Sequence, residues 1–295
     1  MSRSSHRQSR FSTSSLPEVD YDEINENLLP LQVSAANIPT SVRLHSTIRN
    51  LIQLDPKCNH PDLLVITDIN LRLAIQLWRR LEQLESRALR KSFDSVTGEF
   101  TIKMPTPVHN CVLEWFTLSR DEWMRTGLIN IPESNIMFAQ VADTLTLTQG
   151  VFANSRKEPD VHLNINGLDL PTLCCEVGFS ESKPRLESEM RKLLVGGQGH
   201  ITAVFLITWY NRTTGVAGTV ELWKLDANGN PRKQREEAIF PIPFGPQEPF
   251  TLTRQELFGA ALQQGRSPTT VFTFSLDDLR TRARAAMVKQ SLVPL

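Results

Sequence analysis

Two apolar runs flanking an amphipathic helix constrain this chain more than any other feature in it. Leu173-Cys174-Cys175-Glu176-Val177 is apolar enough to lie inside a sheet. Ile201 to Trp209 follows and reads as a strand buried on both faces. Between them Leu186, Met190, Leu193 and Leu194 form a helical stripe that Gly196-Gly197 terminates. Strands buried on both faces need layers of helix against them, so the expected class is α/β, with a mixed sheet flanked by helices. The 295 residues suffice for a large core. With 40% apolar residues, 32 basic and 32 acidic side chains, the composition excludes a fully disordered chain and argues against a broadly basic nucleic-acid coat. A local basic groove is compatible with neutrality.

Residues 1–27 read as a disordered tail. The first 16 carry Arg3, Arg7 and Arg10 among many serines, and the next stretch carries Glu18, Asp20, Asp22, Glu23 and Glu26 without a base. Residues 28–92 read as a helical N-terminal region packed on the core. It has one helix over Val42 to Gln53 and a second from Thr67 or Asp68 to about Lys91, where Leu77, Leu81, Leu84 and Ala88 fall at helical spacing. Residues 93–295 read as the main domain. A hairpin over Phe93 to Met104 leads to a helix from His109 to Arg125. Strands are expected over Ile136 to Thr148, Asp160 to Ile165, and Leu173 to Gly178, before the helix and apolar strand described above. Strands near Val216 to Leu225 and Glu237 to Phe240 follow, then Val271 to Phe274 and a helix over Leu276 to Val288 opened by Ser275.

No run reaches the roughly 18 apolar residues of a membrane span, so no membrane partner is expected. Cys58, Cys111, Cys174 and Cys175 form no CxxC pair, and the basic N-terminus lacks an apolar stretch behind it. The expected setting is intracellular, cytoplasmic or nuclear, and not secreted. The oligomeric state is not readable from the sequence.

Glu176 is the residue that demands chemistry. An uncompensated carboxylate inside an apolar strand costs several kcal/mol, so it requires a partner. An antiparallel hairpin centred near residue 168 places Asp160 opposite Glu176 on one face. Like charges so placed repel, and the fold must protonate one, add a cationic side chain, or bind a divalent metal; oxygen donors favour Mg²⁺ or Mn²⁺.

The segment Glu158-Pro159-Asp160, followed by Glu176-Val177-Gly178 after a hairpin and then by a helix and an apolar strand, resembles the PD-(D/E)XK nuclease superfamily. The run Gly98-Glu99-Phe100-Thr101-Ile102-Lys103-Met104-Pro105, with His109 soon after, is similar to a branch of nuclease-like proteins related to bacterial restriction-endonuclease-like domains. The resemblance covers about residues 93–225 and implies a restriction-endonuclease-like core of order α-β-β-β-α-β. It further implies a Mg²⁺ or Mn²⁺ site held by Asp160, Glu176 and the carbonyl of Val177, with Glu114 in the acidic position some members use as an extra ligand. The implied activity is hydrolysis of phosphodiester bonds in DNA or RNA.

One position departs from that pattern. Gly178 stands where the superfamily has its lysine. Lys192 on the following helix, or Lys183, is the replacement the resemblance implies, although an i,i+3 ion pair between Glu189 and Lys192 accounts for both residues without catalysis. Gln198, His109 and His162 are further polar candidates, and Glu158 is either a supporting acid or a strand-edge charge. A second reading keeps the same scaffold as a catalytically inactive module that binds protein or nucleic acid. A third uses residues 68–91 as a partner-binding helix.

Overall fold

The computed structural model describes residues 30–38, 40–53, 63–83, 89–179 and 181–295. The tail read over residues 1–27 lies outside them. In chain order the first elements are β1 (Leu31–Ser34), α1 (Ser41–Gln53), β2 (Leu63–Thr67), α2 (Leu71–Glu82), β3 (Arg90–Asp94) and β4 (Glu99–Lys103). Next come α3 (Pro107–Arg125), α4 (Ile131–Ser134), β5 (Met137–Gln140), β6 (Leu145–Thr146), β7 (Arg156–Lys157), β8 (Val161–Ile165), β9 (Leu173–Gly178) and α5 (Lys183–Gly196). The chain continues with β10 (Ala203–Arg212), β11 (Gly215–Leu225), β12 (Pro231–Phe240), β13 (Phe250–Thr253), α6 (Arg254–Phe258), β14 (Val271–Phe274) and α7 (Leu276–Val288). No helix among the described residues is long and apolar enough to cross a membrane.

These elements make a mixed α/β architecture with two six-stranded sheets. The second sheet runs β12-β11-β10-β9-β8-β5. In it β5, β8 and β9 are successively antiparallel, and β10 lies parallel to β9 across the α5 crossover. Period-two alternation sends the residues of β9 to two different layers. Leu173, Cys175 and Val177 enter the aromatic core beneath α3 and α7, with Trp115, Phe116, Phe205 and Phe274. Cys174 packs on the opposite side with Leu186, Met190, Leu193 and Leu194 of α5. Ser275 caps α7 by accepting from the Asp278 backbone N–H.

The first sheet, β1-β2-β4-β3-β7-β6, adds the strands β1 and β2 to the region over residues 28–92 expected to be helical. β2 is the run Leu63-Leu64-Val65-Ile66-Thr67, whose apolar residues are almost wholly buried, and β1 lies parallel to it. The helix expected to reach Lys91 ends at Glu82, and Lys91 belongs to β3. Its cap is Asn70, which accepts from the Leu73 backbone N–H, and not Thr67 or Asp68. The long strand expected over Ile136 to Thr148 is two short ones in different sheets, β5 and β6.

Alternation also divides β3 and β4. Phe93, Phe100 and Ile102 join Trp78 and Leu77 of α2 in a separate apolar cluster. Register pairs Arg90 with Lys103, Ser92 with Thr101 and Asp94 with Glu99, so these polar residues share the other face. Five of them, Arg90, Ser92, Asp94, Thr101 and Lys103, are nonetheless buried, because that face is turned toward α5 and the Asp160–Glu176 side of the second sheet.

Candidate functional site

The β8–β9 ladder pairs Val161 with Cys175, which centres the hairpin on residue 168 and carries Asp160 to the level of Glu176. Both acids are buried, Glu176 completely. Their shared cation is Lys103 of β4. Its Nζ lies 2.9 Å from Asp160 Oδ2, 3.0 Å from the Val177 carbonyl oxygen and 3.6 Å from Glu176 Oε2. Glu181 Oε2 stands 3.1 Å from the same nitrogen. Asp160 Oδ2 also accepts from the Val177 backbone N–H at 2.8 Å, which fixes the carboxylate against the next strand.

The ion-paired set extends from there along α5. Lys157 Nζ lies 2.8 Å from Glu176 Oε2 and 3.2 Å from Glu189 Oε2. Lys192 Nζ lies 3.0 Å from Glu189 Oε1 and 3.4 Å from Asp94 Oδ2. Ser92 ties the end of the chain together, donating to Glu189 Oε2 and accepting from Lys192 Nζ. Five carboxylates (Asp94, Asp160, Glu176, Glu181, Glu189) thus share three ammoniums (Lys103, Lys157, Lys192). Adding buried Arg90, whose charge reaches His109 and His162, still leaves one carboxylate in excess.

That excess falls on Glu176. Burial raises its carboxyl, Lys157 opposes this, and the neighbouring negative charges of Asp160 and Glu189 leave it at about 7. Burial also pushes Asp160 upward, but Lys103 outweighs it and holds the group below the usual carboxylate range. Glu189 likewise ends low, because Lys157, Lys192 and its hydrogen bonds overcome desolvation. Burial works against the Lys103 and Lys157 ammoniums, and the surrounding acids more than restore them. His109 is desolvated down to about 4 and is neutral near pH 7; its Nδ1 faces the Thr106 hydroxyl and backbone N–H at the start of α3.

The sequence-derived residues divide clearly. Asp160, Glu176 and the Val177 carbonyl converge on one point. Lys192 reaches the set through Glu189, and its ion pair with Glu189 is buried and not on a solvated face. Lys183 pairs instead with Glu221 at 2.7 Å. Glu114 is exposed and faces Arg282 of α7 at 3.7 Å, so it is not brought to the acid pair. Gln198 is exposed at the turn after α5 and donates to the Val195 carbonyl. His162 is buried with its Nε2 3.2 Å from Asp143 Oδ2. Glu158 takes both the ammonium and the backbone N–H of Lys91, making a second buried pair.

Lys103 and Lys157 are the functional candidates that sequence reasoning missed. Lys157 sits immediately before the Glu158-Pro159-Asp160 segment, and Lys103 closes a strand whose polar face reads as solvent-facing.

The acid pair suits a hard cation. Asp160 Oδ1 and Glu176 Oε1 are buried with no hydrogen-bond partner among the described residues, and every converging donor is oxygen. Among the described residues no group of three or more His, Cys, Asp and Glu side chains is arranged as a metal cage. Comparison of the chain with protein-family models, curated proteins and solved structures returns no match.

Proposed function

We propose that this protein is a metal-dependent phosphodiester hydrolase built on a restriction-endonuclease-like core of the PD-(D/E)XK type. Nucleic acid is its substrate class. The observation that carries the reading is the convergence of Asp160 Oδ2, Glu176 Oε2 and the Val177 carbonyl oxygen on a single cation position. Element order supports it. With α4 and the first-sheet strands β6 and β7 set aside as insertions, the succession α3, β5, β8, β9, α5, β10, three antiparallel strands followed by a parallel one, agrees with the order the resemblance implies.

In this reading Asp160, Glu176 and the Val177 carbonyl hold Mg²⁺ or Mn²⁺, which supplies Lewis acidity and an activated water when bound. Glu176 lies between two lysines, Lys103 and Lys157, and these provide the positive charge that Gly178 lacks. The acids around Lys157 Nζ keep it protonated, and in this reading it would face a phosphate oxygen next to the acid pair. His109, neutral at the start of α3, adds no competing charge. Lys192 acts one step away: by fixing Glu189 it orients Lys157.

A second reading has its own observation. Asp160, Glu176, Lys103, Lys157 and Lys192 are all buried, which favours a catalytically silent scaffold that uses the ionic layer only to join its two sheets. Titration of Mg²⁺ and Mn²⁺ into the full chain decides between them. The hydrolase reading expects a rise in Tm that Asp160→Asn and Glu176→Gln abolish, together with metal-dependent cleavage of single- or double-stranded DNA or RNA. Absence of any metal response in the parent sinks the hydrolase. A metal response without cleavage of any of these substrates leaves the silent scaffold.

A further inference from the structure

We propose that Lys103 is a tethered competitor for the divalent-cation position, so that metal loading requires its ammonium to leave. The inference rests on the hydrolase reading, and goes beyond it by assigning control of the site to the first sheet. Lys103 Nζ occupies the point that the proposed ligands define, 2.9 Å from Asp160 Oδ2, 3.0 Å from the Val177 carbonyl and 3.6 Å from Glu176 Oε2. Glu181 closes the fourth side at 3.1 Å. A Mg²⁺ ion binds such oxygens at about 2.1 Å, and an ammonium held by the same oxygens adds its repulsion to the overlap, so the two cations exclude one another.

Chain topology makes the competitor separable from the site. The acids belong to β8 and β9 in the second sheet, and Lys103 ends β4 in the first. Its departure leaves the other ties between the layers in place, namely Lys157 with Glu176 and Glu189, Lys192 with Asp94, and Arg185 with Glu99. Lys157 is the comparison, since it bonds the same Glu176 Oε2 at 2.8 Å while its other ion pair is with Glu189, and Lys103 alone also takes Asp160 Oδ2 and the Val177 carbonyl.

The test is calorimetric titration of Mn²⁺ into the full-length parent, Lys103→Met, Lys103→Gln and Lys157→Met, with Tm recorded with and without the ion. Both Lys103 variants are expected to bind Mn²⁺ about tenfold or more tighter than the parent, to have a lower Tm without metal, and to recover it with metal. Lys157→Met is expected to gain severalfold less. Equal affinity in the parent and the Lys103 variants overturns the competitor while leaving the hydrolase reading standing, as does an equal gain in Lys157→Met. Weaker binding after loss of Lys103 also overturns it. If neither Lys103 variant folds alone, recovery of the fold with Mn²⁺ supports the proposal and failure to recover overturns it. If the parent binds no Mn²⁺ at any concentration titrated, the hydrolase reading itself fails, and the competitor with it.

Discussion

The two faces of the second sheet are buried to similar depth, but the α5 side sets a layer of buried charges beside its apolar cluster where the α3 and α7 side packs aromatic rings. On the α3 and α7 side, Trp115 meets Phe205 at 5.2 Å and Phe274 at 5.6 Å between ring centroids, and Trp123 meets Phe272 at 5.0 Å. On the α5 side, Glu176 leaves the same strand to join a chain of carboxylates and ammoniums. An apolar face gains from every group packed into it, so losses there accumulate. An ionic face gains only from balance, and what matters is whether each charge keeps its partner. Second substitutions therefore separate the two faces better than first ones do.

The largest effects are expected from single truncations on either face. Trp115→Ala should destabilise by about 3–5 kcal/mol in urea unfolding, and adding Phe205→Ala should lower stability further, with only partial sharing between the neighbouring rings. Lys157→Met should cost a similar amount, about 3–5 kcal/mol, because it leaves Glu176 and Glu189 without their common ammonium. Here the second substitution should reverse sign. Glu176→Gln in the Lys157→Met background removes the stranded charge and should restore part of the loss. If the pair proves additive and both steps destabilise, the ionic face behaves like the aromatic one and the distinction fails.

Legibility in the sequence follows the same division. The acid pair could be read because hairpin arithmetic and period-two alternation are local: a centre at residue 168 suffices to oppose Asp160 and Glu176. The helices α3, α5 and α7 were readable from caps and stripes within one segment. The lysines were not. Polar alternation in Glu99–Lys103 is the signature of a half-exposed strand, and only contact with a second sheet reverses that meaning. Lys157 lies in a strand of two residues, too short for any period, paired with β3 some sixty residues earlier. The helix expected to reach Lys91 failed for a related reason. Apolar spacing continues through Leu84 and Ala88, but the sheet claims Arg90–Asp94 for pairing with β4.

A smaller effect is expected from pH, and it has opposing parts. Glu176 has a folded value of about 7 against an ordinary 4.5, so its protonated form favours the native state below 4.5 and that contribution is lost as pH rises through 7. His109 runs the other way. Its folded value of about 4 against an ordinary 6.5 means that folding must discharge it in acid, and stability climbs from pH 4 to 6.5. His162, also lowered by burial, adds to that climb. Urea unfolding of the parent at pH 4.5 and 6.5 should therefore differ little, while Glu176→Gln should be clearly more stable at the higher pH. An equal pH slope in both proteins would remove Glu176 as the carrier of the excess charge.

The smallest effect should come from replacing a whole ion pair. Lys91 Nζ lies 2.7 Å from Glu158 Oε1 and 5.3 Å from the Trp78 ring centroid, while Glu158 Oε2 accepts the Lys91 backbone N–H at 2.9 Å. This pair has few ties to the acid cluster, so it isolates the value of a buried charge pair from that of the site. In Lys91→Met with Glu158→Gln, methionine keeps the packing against Trp78 and the glutamine oxygen keeps the backbone acceptor. Both desolvation penalties and the mutual attraction disappear together, and the change should fall within about 1 kcal/mol of zero. Each single substitution should cost more than the double. If the double variant instead loses as much as Lys157→Met, buried charge stabilises this fold in its own right, and the ionic face would need no cation-binding role to explain its presence.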